Sequence, residues 1–254
     1  MTNVVRGDFK GQLRSIAARL PPRYRRRGRR DIESVLRTGV RSRADLLAVL
    51  KNRASDPNIR SRVCWILGRL RDKRSAPAII AAVEDPDPRL RQAAAQALGE
   101  IGSRRAFRAL VAALQDEDVE VRVTAASSLG ALRDGRAFLP LVDVLNNRRE
   151  DPRVRGMAAE ALAAVPHRRA ADVLVAMLSD RSAEVRLCAA FALGQLRSPK
   201  ALRKLKRLAA TDRARPKGWG AVKDEAARAI EYIQRHGFRA TRKPPTGSKS
   251  HSQC

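Results

Sequence analysis

A chain of 254 residues that is 44% hydrophobic but only 4% aromatic has apolar surface enough for a core, and its Ala, Leu and Val suit closely stacked small-residue helices. Its formal net charge of +27 lies far outside the magnitude of about 2 to 8 usual for a small soluble domain, which opposes compaction and calls for an anionic partner. Three cysteines without zinc-like spacing argue against a disulfide scaffold, and no stretch approaches the ~20 apolar residues of a membrane span. Cys64 and Cys188 fall in small-residue columns and read as core filler, with Cys254 a thiol on a tail. No apolar run resembling a signal peptide comes after Met1, so the expected setting is cytoplasmic.

The first predicted helix has Phe9, Leu13, Ile16 and Leu20 at helical spacing and stops at Pro21-Pro22. Arg23-Tyr-Arg-Arg-Arg-Gly-Arg-Arg30 carries too much like charge to pack and reads as a solvated run. Asp31 is placed to cap a short helix with Ile32, Val35 and Leu36 inward, and Ser42 to cap another through Leu46, Leu47 and Leu50. Residues 1–42 are thus expected to form a basic helical cap on the remainder of the chain.

From there the sequence repeats about every thirty-one residues, the mark of a solenoid. Ile59-Arg60 with Leu67-Gly68, Leu90-Arg91 with Leu98-Gly99, Val121-Arg122 with Leu129-Gly130, Val154-Arg155 with Leu162-Ala163 and Val185-Arg186 with Leu193-Gly194 keep one spacing, and a degraded copy runs from Val222 to Glu231. Asp56, Asp87, Asp118 and Asp151 stand four residues before the recurring Arg, where a carboxylate satisfies free N–H groups at a helix start. The Ala pairs (Ala94-Ala95, Ala125-Ala126, Ala158-Ala159, Ala189-Ala190) permit close helix approach, and the Gly after the Leu is expected to let the chain turn.

This D-x-x-V-R-x-x-A-A-x-A-L-G signature resembles the HEAT-like repeats of the phycobilisome-lyase type over roughly residues 43–235. The resemblance implies an all-α fold, a right-handed α-solenoid of about six HEAT-like helix pairs with an N-terminal helical cap. It also implies that the Val-Arg helix lines the concave face, and that Arg60, Arg91, Arg122, Arg155 and Arg186 pair with the loop Asp of the same or next repeat. Function stays open, since the family includes bilin lyases, protein-interaction scaffolds, DNA alkylation-repair glycosylases and deoxyhypusine hydroxylase.

Residues 213–221 interrupt the last unit, and the final helix, Lys223 to about Arg235, has Ala226, Ala227, Ile230 and Ile233 inward before a stop at His236-Gly237. The solenoid is therefore placed at 43–238, and residues 239–254 read as a disordered basic tail.

Catalytic patterns are missing. The chain has no His-Glu-x-x-His, Cys-x-x-Cys, phosphate-binding loop or Gly-x-Gly-x-x-Gly, and His167, His236 and His251 fall in a loop, at a helix end and in the tail. The paired His-Glu motifs of deoxyhypusine hydroxylase are also missing, and no lyase or glycosylase residue set can be matched position by position. No catalytic residue, metal or cofactor is expected.

Cations carry what remains. Residues 1–53 hold 15 Lys/Arg against 4 Asp/Glu, residues 54–197 hold 23 against 18, and residues 198–254 hold 15 against 4. Arg23, Arg25, Arg26, Arg27, Arg29 and Arg30 at one end, and Arg203, Lys204, Lys206 and Arg207 continued by Arg239, Arg242, Lys243 and Lys249 at the other, suit sequence-independent polyanion contact. Between repeats lie Arg71, Lys73 and Arg74; Arg104 and Arg105; Arg133 and Arg136; Arg168 and Arg169; Arg197 and Lys200. Stacked repeats would align them into a stripe that either tracks a phosphate backbone or is a solvated edge. Arg62, Trp65 and Arg69 share one helical face, where the indole either stacks on a base or packs beneath the cap. Trp219, beside Lys217, Arg213 and Arg215, is either part of a basic aromatic loop or a plug over the last repeat. The reading adopted is a monomeric, non-catalytic scaffold for a nucleic-acid phosphate backbone. The alternatives are an adaptor for an acidic protein and a bilin-lyase-like or alkylpurine-glycosylase-like enzyme.

Overall fold

Aspartate starts the helices that build this fold. In the computed structural model, which describes residues 9–237, the backbone N–H groups of Asn58, Arg89, Glu120 and Arg153 each donate to the capping carboxylate of Asp56, Asp87, Asp118 or Asp151 at 2.8 Å. Each cap opens a long helix of the repeat, and Pro at the first helical position supports three of the four. The described residues are all-α, and contacts divide the chain into two compact units, through Ala170 and from Ala171.

The first unit contains α1 (Phe9–Ala18), α2 (Pro22–Leu36), α3 (Arg43–Lys51), α4 (Pro57–Leu70), α5 (Ala76–Ala82), α6 (Pro88–Ile101), α7 (Phe107–Ala113), α8 (Val119–Leu132), α9 (Phe138–Asn146) and α10 (Pro152–Ala164). The long helices α4, α6, α8 and α10 stack side by side, and the short α3, α5, α7 and α9 each pack on the long helix next in the chain. The second unit holds α11 (Ala170–Met177), α12 (Ala183–Gln195), α13 (Leu202–Thr211) and α14 (Val222–Gly237), with α14 against both α12 and α13. From α3 to α14 the order is six consecutive short-then-long pairs, the count expected from the repeat.

Small residues set the spacing of the long helices. A Cβ added at Gly68 would stand 2.9 Å from Ala97 Cα, one at Gly99 2.7 Å from Ser128 Oγ, and one at Gly130 2.9 Å from Ala161 Cα. These glycines lie inside their helices, so the expectation that they make the turn is corrected: they let the neighbouring backbone come close. The Ala pairs on the same helices are fully buried, and Cys64 and Cys188 are buried without a disulfide.

The basic run Arg23–Arg30 is helical, contrary to expectation. It lies within α2, where Gly28, Ile32 and Val35 form a buried stripe at i, i+4 and i+7 while the arginines fan into solvent. Pro22 pre-sets the first turn, and Leu20 and Trp65 close over Gly28, so one apolar stripe suffices to hold a cationic helix. Asp31 is consequently interior to α2, where it pairs with Arg62 at 3.1 Å instead of capping. Ser42 does cap α3, through a reciprocal bond with Asp45. In α14 the buried set is Val222, Ala226, Ala229 and Ile233, with Ile230 partly covered and Ala227 turned outward. The expectations for residues 1–8 and for 239–254, including Arg239, Arg242, Lys243, Lys249, His251 and Cys254, lie outside the described residues.

Candidate nucleic-acid interface

The recurring arginines at the starts of the long helices are occupied. Arg60 Nη1 meets Asp85 at 2.7 Å with both side chains nearly buried, and its Nε donates to Leu50 O at 3.0 Å. Arg91 forks onto Asp116 with two bonds of 2.8 Å and also donates to Asp85 O and Pro86 O. Arg122 reaches Glu150 at 2.8 Å and Asp116 O at 2.7 Å, and Arg155 is buried with its Nε on Leu145 O at 2.9 Å. In the second unit Arg186 meets Asp212 at 2.6 Å. Each acid belongs to the next repeat's loop, so these arginines tie one repeat to the next. Burial raises the Asp116 carboxyl, but the hydrogen bonds and charge of Arg91, with the Asp118 N–H, outweigh it and hold it below the usual carboxylate value. The same balance, with Arg186 and the Ala214 N–H, lowers Asp212.

The opposite ends of the long helices differ. A helix of fourteen residues is about 21 Å long, so the two edges of the first unit are well separated. The turns there are made by Arg71 (φ +52°), Gly102 (φ +67°) and Arg133 (φ +50°), whose N–H groups donate to Gly68 O, Leu98 O and Gly130 O at 2.9, 3.1 and 3.0 Å. Left-handed backbone suits glycine and disfavours any other residue by about 1 kcal/mol, yet two of these three turns hold arginine. Arg197 (φ +51°) repeats the arrangement in the second unit, with its guanidinium 5.6 Å from the centre of the Tyr232 ring.

Segments 71–76, 102–107, 133–138 and 165–170 together carry nine exposed cations, namely the turn series from Arg71 to Arg169, against two carboxylates. Both carboxylates are engaged: Asp72 pairs with Arg43 at 3.1 Å and Asp134 with Arg136 at 2.7 Å. The side-chain and backbone hydrogen bonds of Arg136 pull Asp134 down to about 2. Arg136 also lies over the Phe107 ring and Arg169 over that of Phe138. Among the described residues Arg71, Lys73, Arg74, Arg104, Arg105, Arg133 and Arg168 take part in no ion pair. Stacked at about 8–10 Å per repeat, the four turns extend over roughly 30 Å. Arg71 and Arg133 become notable only once the turn backbone is known.

Other predicted residues divide by what they touch. Arg62 donates to Ser34 Oγ at 2.6 Å besides its pairing with Asp31, Arg69 lies 3.8 Å from Glu100, and Trp65 is half-buried against Gly28 of α2. Arg62 and Trp65 therefore dock α2, and Arg69 turns toward α6. On α2 itself Arg27 approaches Asp31 at 3.9 Å and Arg25 donates to Leu20 O, while Arg23, Arg26, Arg29 and Arg30 stand exposed. In the second unit Leu205 anchors α13, leaving Arg203, Lys206 and Arg207 in solvent; Lys204 donates to Val175 O and Lys200 pairs with Asp172. Trp219 is 47% exposed beside the exposed Arg213, Arg215 and Lys217, so it does not plug the last repeat.

No group of three His, Cys, Asp or Glu able to hold a metal occurs among the described residues, and no helix there is long and apolar enough to cross a membrane. His167 stacks on Phe138 at 3.5 Å between ring centres, and burial pushes the Cys64 thiol up to about 12, which leaves it protonated and inert.

The HEAT repeats family matches the chain over residues 43–130, 80–150 and 138–231. The chain belongs to this family. No curated protein sequence matches this HEAT repeat protein. Its fold is similar to that of the complex of CpcE and CpcF of phycocyanin lyase from Nostoc sp. PCC7120, at 23% identity and a TM-score of 0.50, over 62% of this chain and 99% of that one. A designed armadillo repeat protein in complex with the peptide (KR)4 is similar at 19% identity and a TM-score of 0.50, over 74% and 98% of the two chains. These likenesses bear out the repeat fold expected from the signature.

Proposed function

We propose that this HEAT repeat protein is a non-catalytic scaffold that holds the phosphate backbone of a nucleic acid along the turn edge of its first unit. The observation that carries the reading is the segregation of charge. At the cap edge, where the capping aspartates start the long helices, the ladder arginines are consumed in tying repeats together and the exposed Arg53, Arg89 and Arg149 share the edge with the loop carboxylates, whereas the cations at the turn edge stand exposed with almost no acid near them. Retaining arginine at two turns that favour glycine works against stability and makes sense if the cation is used on a ligand. Phosphates spaced along a backbone match a row of cations spaced along a helix stack, and arginine's fork suits their oxygens. Such contacts position a strand without reading its bases.

An adaptor for an acidic protein is the second reading, favoured by the likeness to CpcE–CpcF, which is a complex of protein subunits. A basic peptide like the one bound to the designed armadillo protein is a poor ligand for a chain of net charge +27. The test is a titration of the nuclease-treated, polynucleotide-free chain with labelled duplex DNA, RNA and single-stranded DNA at low and moderate salt. Binding that weakens steeply with salt supports the scaffold, at a log–log slope of about −0.9 per phosphate on duplex DNA. Recovery of one acidic protein from extract that survives nuclease treatment, with no polynucleotide binding in the titration, decides for the adaptor.

A further inference from the structure

The loop between α13 and α14 is a second, differently built site. Its ends are fastened: Asp212 accepts Arg186 at 2.6 Å and the Ala214 N–H at 3.0 Å, and the Val222 N–H donates to Ala214 O at 3.0 Å. Between those staples the chain makes a turn in which the Trp219 N–H donates to Pro216 O at 3.0 Å and Gly218 takes φ +82°. Glycine on either side of Trp219 leaves no neighbouring side chain to cover the indole, which stands 47% exposed without an aromatic or cationic partner among the described residues. On the same loop Arg213, Arg215 and Lys217 are exposed and form no ion pair among the described residues. Arg228 of α14 adds a fourth cation, its Nη2 3.8 Å from where a Cβ on Gly220 would stand, although it shares its charge with Glu225.

A row of unpaired arginines needs only phosphates, as at the turn edge. An exposed indole on a loop that also carries three exposed cations presents a flat apolar face as well, and the ligand that offers a flat π surface beside a negative charge is a nucleotide whose base is unstacked. We infer that the Trp219 loop binds single-stranded nucleic acid, one base stacking on the indole while Arg213, Arg215 and Lys217 hold the flanking phosphates. The inference rests on the proposed nucleic-acid function and adds a property that function leaves open, a preference for unpaired strands at this site. Base pairs in a duplex keep their faces covered, so a duplex would use the cations and leave the indole unused.

The test uses the full chain. Trp65→Phe makes Trp219 the sole tryptophan, and its emission is monitored while an oligothymidylate of about a dozen nucleotides, or a duplex of equal length, is added at low ionic strength. In parallel, fluorescence anisotropy compares the parent chain with Trp219→Ala and Trp219→Phe, so that the outcome does not depend on the Trp65 background. The expected result is quenching of Trp219 by the single strand, a loss of about tenfold in single-strand affinity for Trp219→Ala, retention in Trp219→Phe, and less than twofold change for the duplex. Replacing Arg213, Arg215 and Lys217 together by serine should lower the magnitude of the single-strand salt slope by about 2. Unquenched emission with Trp219→Ala binding like the parent overturns the inference while leaving the turn-edge reading standing, provided the duplex still binds. Equal weakening of duplex and single strand overturns it as well, and so does a blue shift of Trp219 with phosphatidylserine vesicles when oligonucleotides give no change. If no polynucleotide binds at all, both readings fall.

Discussion

Arg71 and Arg133 occupy the turn column that Gly102 fills in the repeat between them, and the conflict between their backbone and their side chain gives the residue-scale prediction. Arg71→Gly and Arg133→Gly should each raise unfolding stability by about 1 kcal/mol in urea while weakening polyanion binding, an opposite movement that a merely solvated edge would not produce. Unchanged affinity in both variants would count against the turn edge. Gly130→Ala should move the other way: helix propensity favours alanine, but the added methyl meets backbone of the next repeat at 2.9 Å, and a loss of about 1–3 kcal/mol is expected from thermal melts. The cap edge is sensitive to acid. Asp116 and Asp212 have lowered folded values, so their contribution is complete above the unfolded carboxylate value of about 3.9 and is lost as pH falls through the folded ones. Urea midpoints should drop below about pH 4, and Asp116→Asn should flatten that drop. The ladder arginines and capping aspartates are legible in the sequence because their spacing is local, whereas the glycine after the Leu reads as a turn residue because helix-to-helix distance leaves no mark in a single line of residues.

Helix α2 shows where counting charges misleads at the scale of an element. Six arginines in eight residues look unable to pack, yet only the stripe Gly28, Ile32 and Val35 has to be buried, and long cationic side chains extend away from it. The stripe is hidden by the run around it; Phe9 to Leu20 is legible because its apolar residues have no such competition. Since repeats of this kind contact mainly their neighbours, damage to α2 should stay local. Ile32→Ala, at a site 1% exposed, is expected to cost about 2–4 kcal/mol and to remove hydrogen-exchange protection from residues 22–36, with α6 to α10 keeping theirs. Loss of protection throughout the first unit would mean the cap and the repeats unfold as one. The loop after α13 is half legible: tryptophan among cations is plain, but whether the ring faces water needs the fold.

For the whole molecule, a net charge of +27 is what the proposed anionic partner would answer, and the arrangement of the cations selects which ones would meet it. Repeat period and signature make the helix pairs from α3 to α14 readable, because a solenoid is written as a series of like units; the proposed function lies in which arginines lack a partner, and the buried ladder arginines find theirs in the next repeat. Exposed cations occur on both edges, with Arg53, Arg89 and Arg149 at the cap edge and Arg74, Arg105 and Arg168 at the turn edge. Serine at either trio changes the net charge equally, so a comparison of the two cancels bulk attraction. The deciding measurement is the salt dependence of duplex DNA or RNA binding for the two triple variants against the parent chain. A slope smaller in magnitude by about 3 for the turn-edge variant and near the parent value for the cap-edge variant is the predicted result. Equal loss in the two variants, or no binding by the parent at low ionic strength, would contradict it.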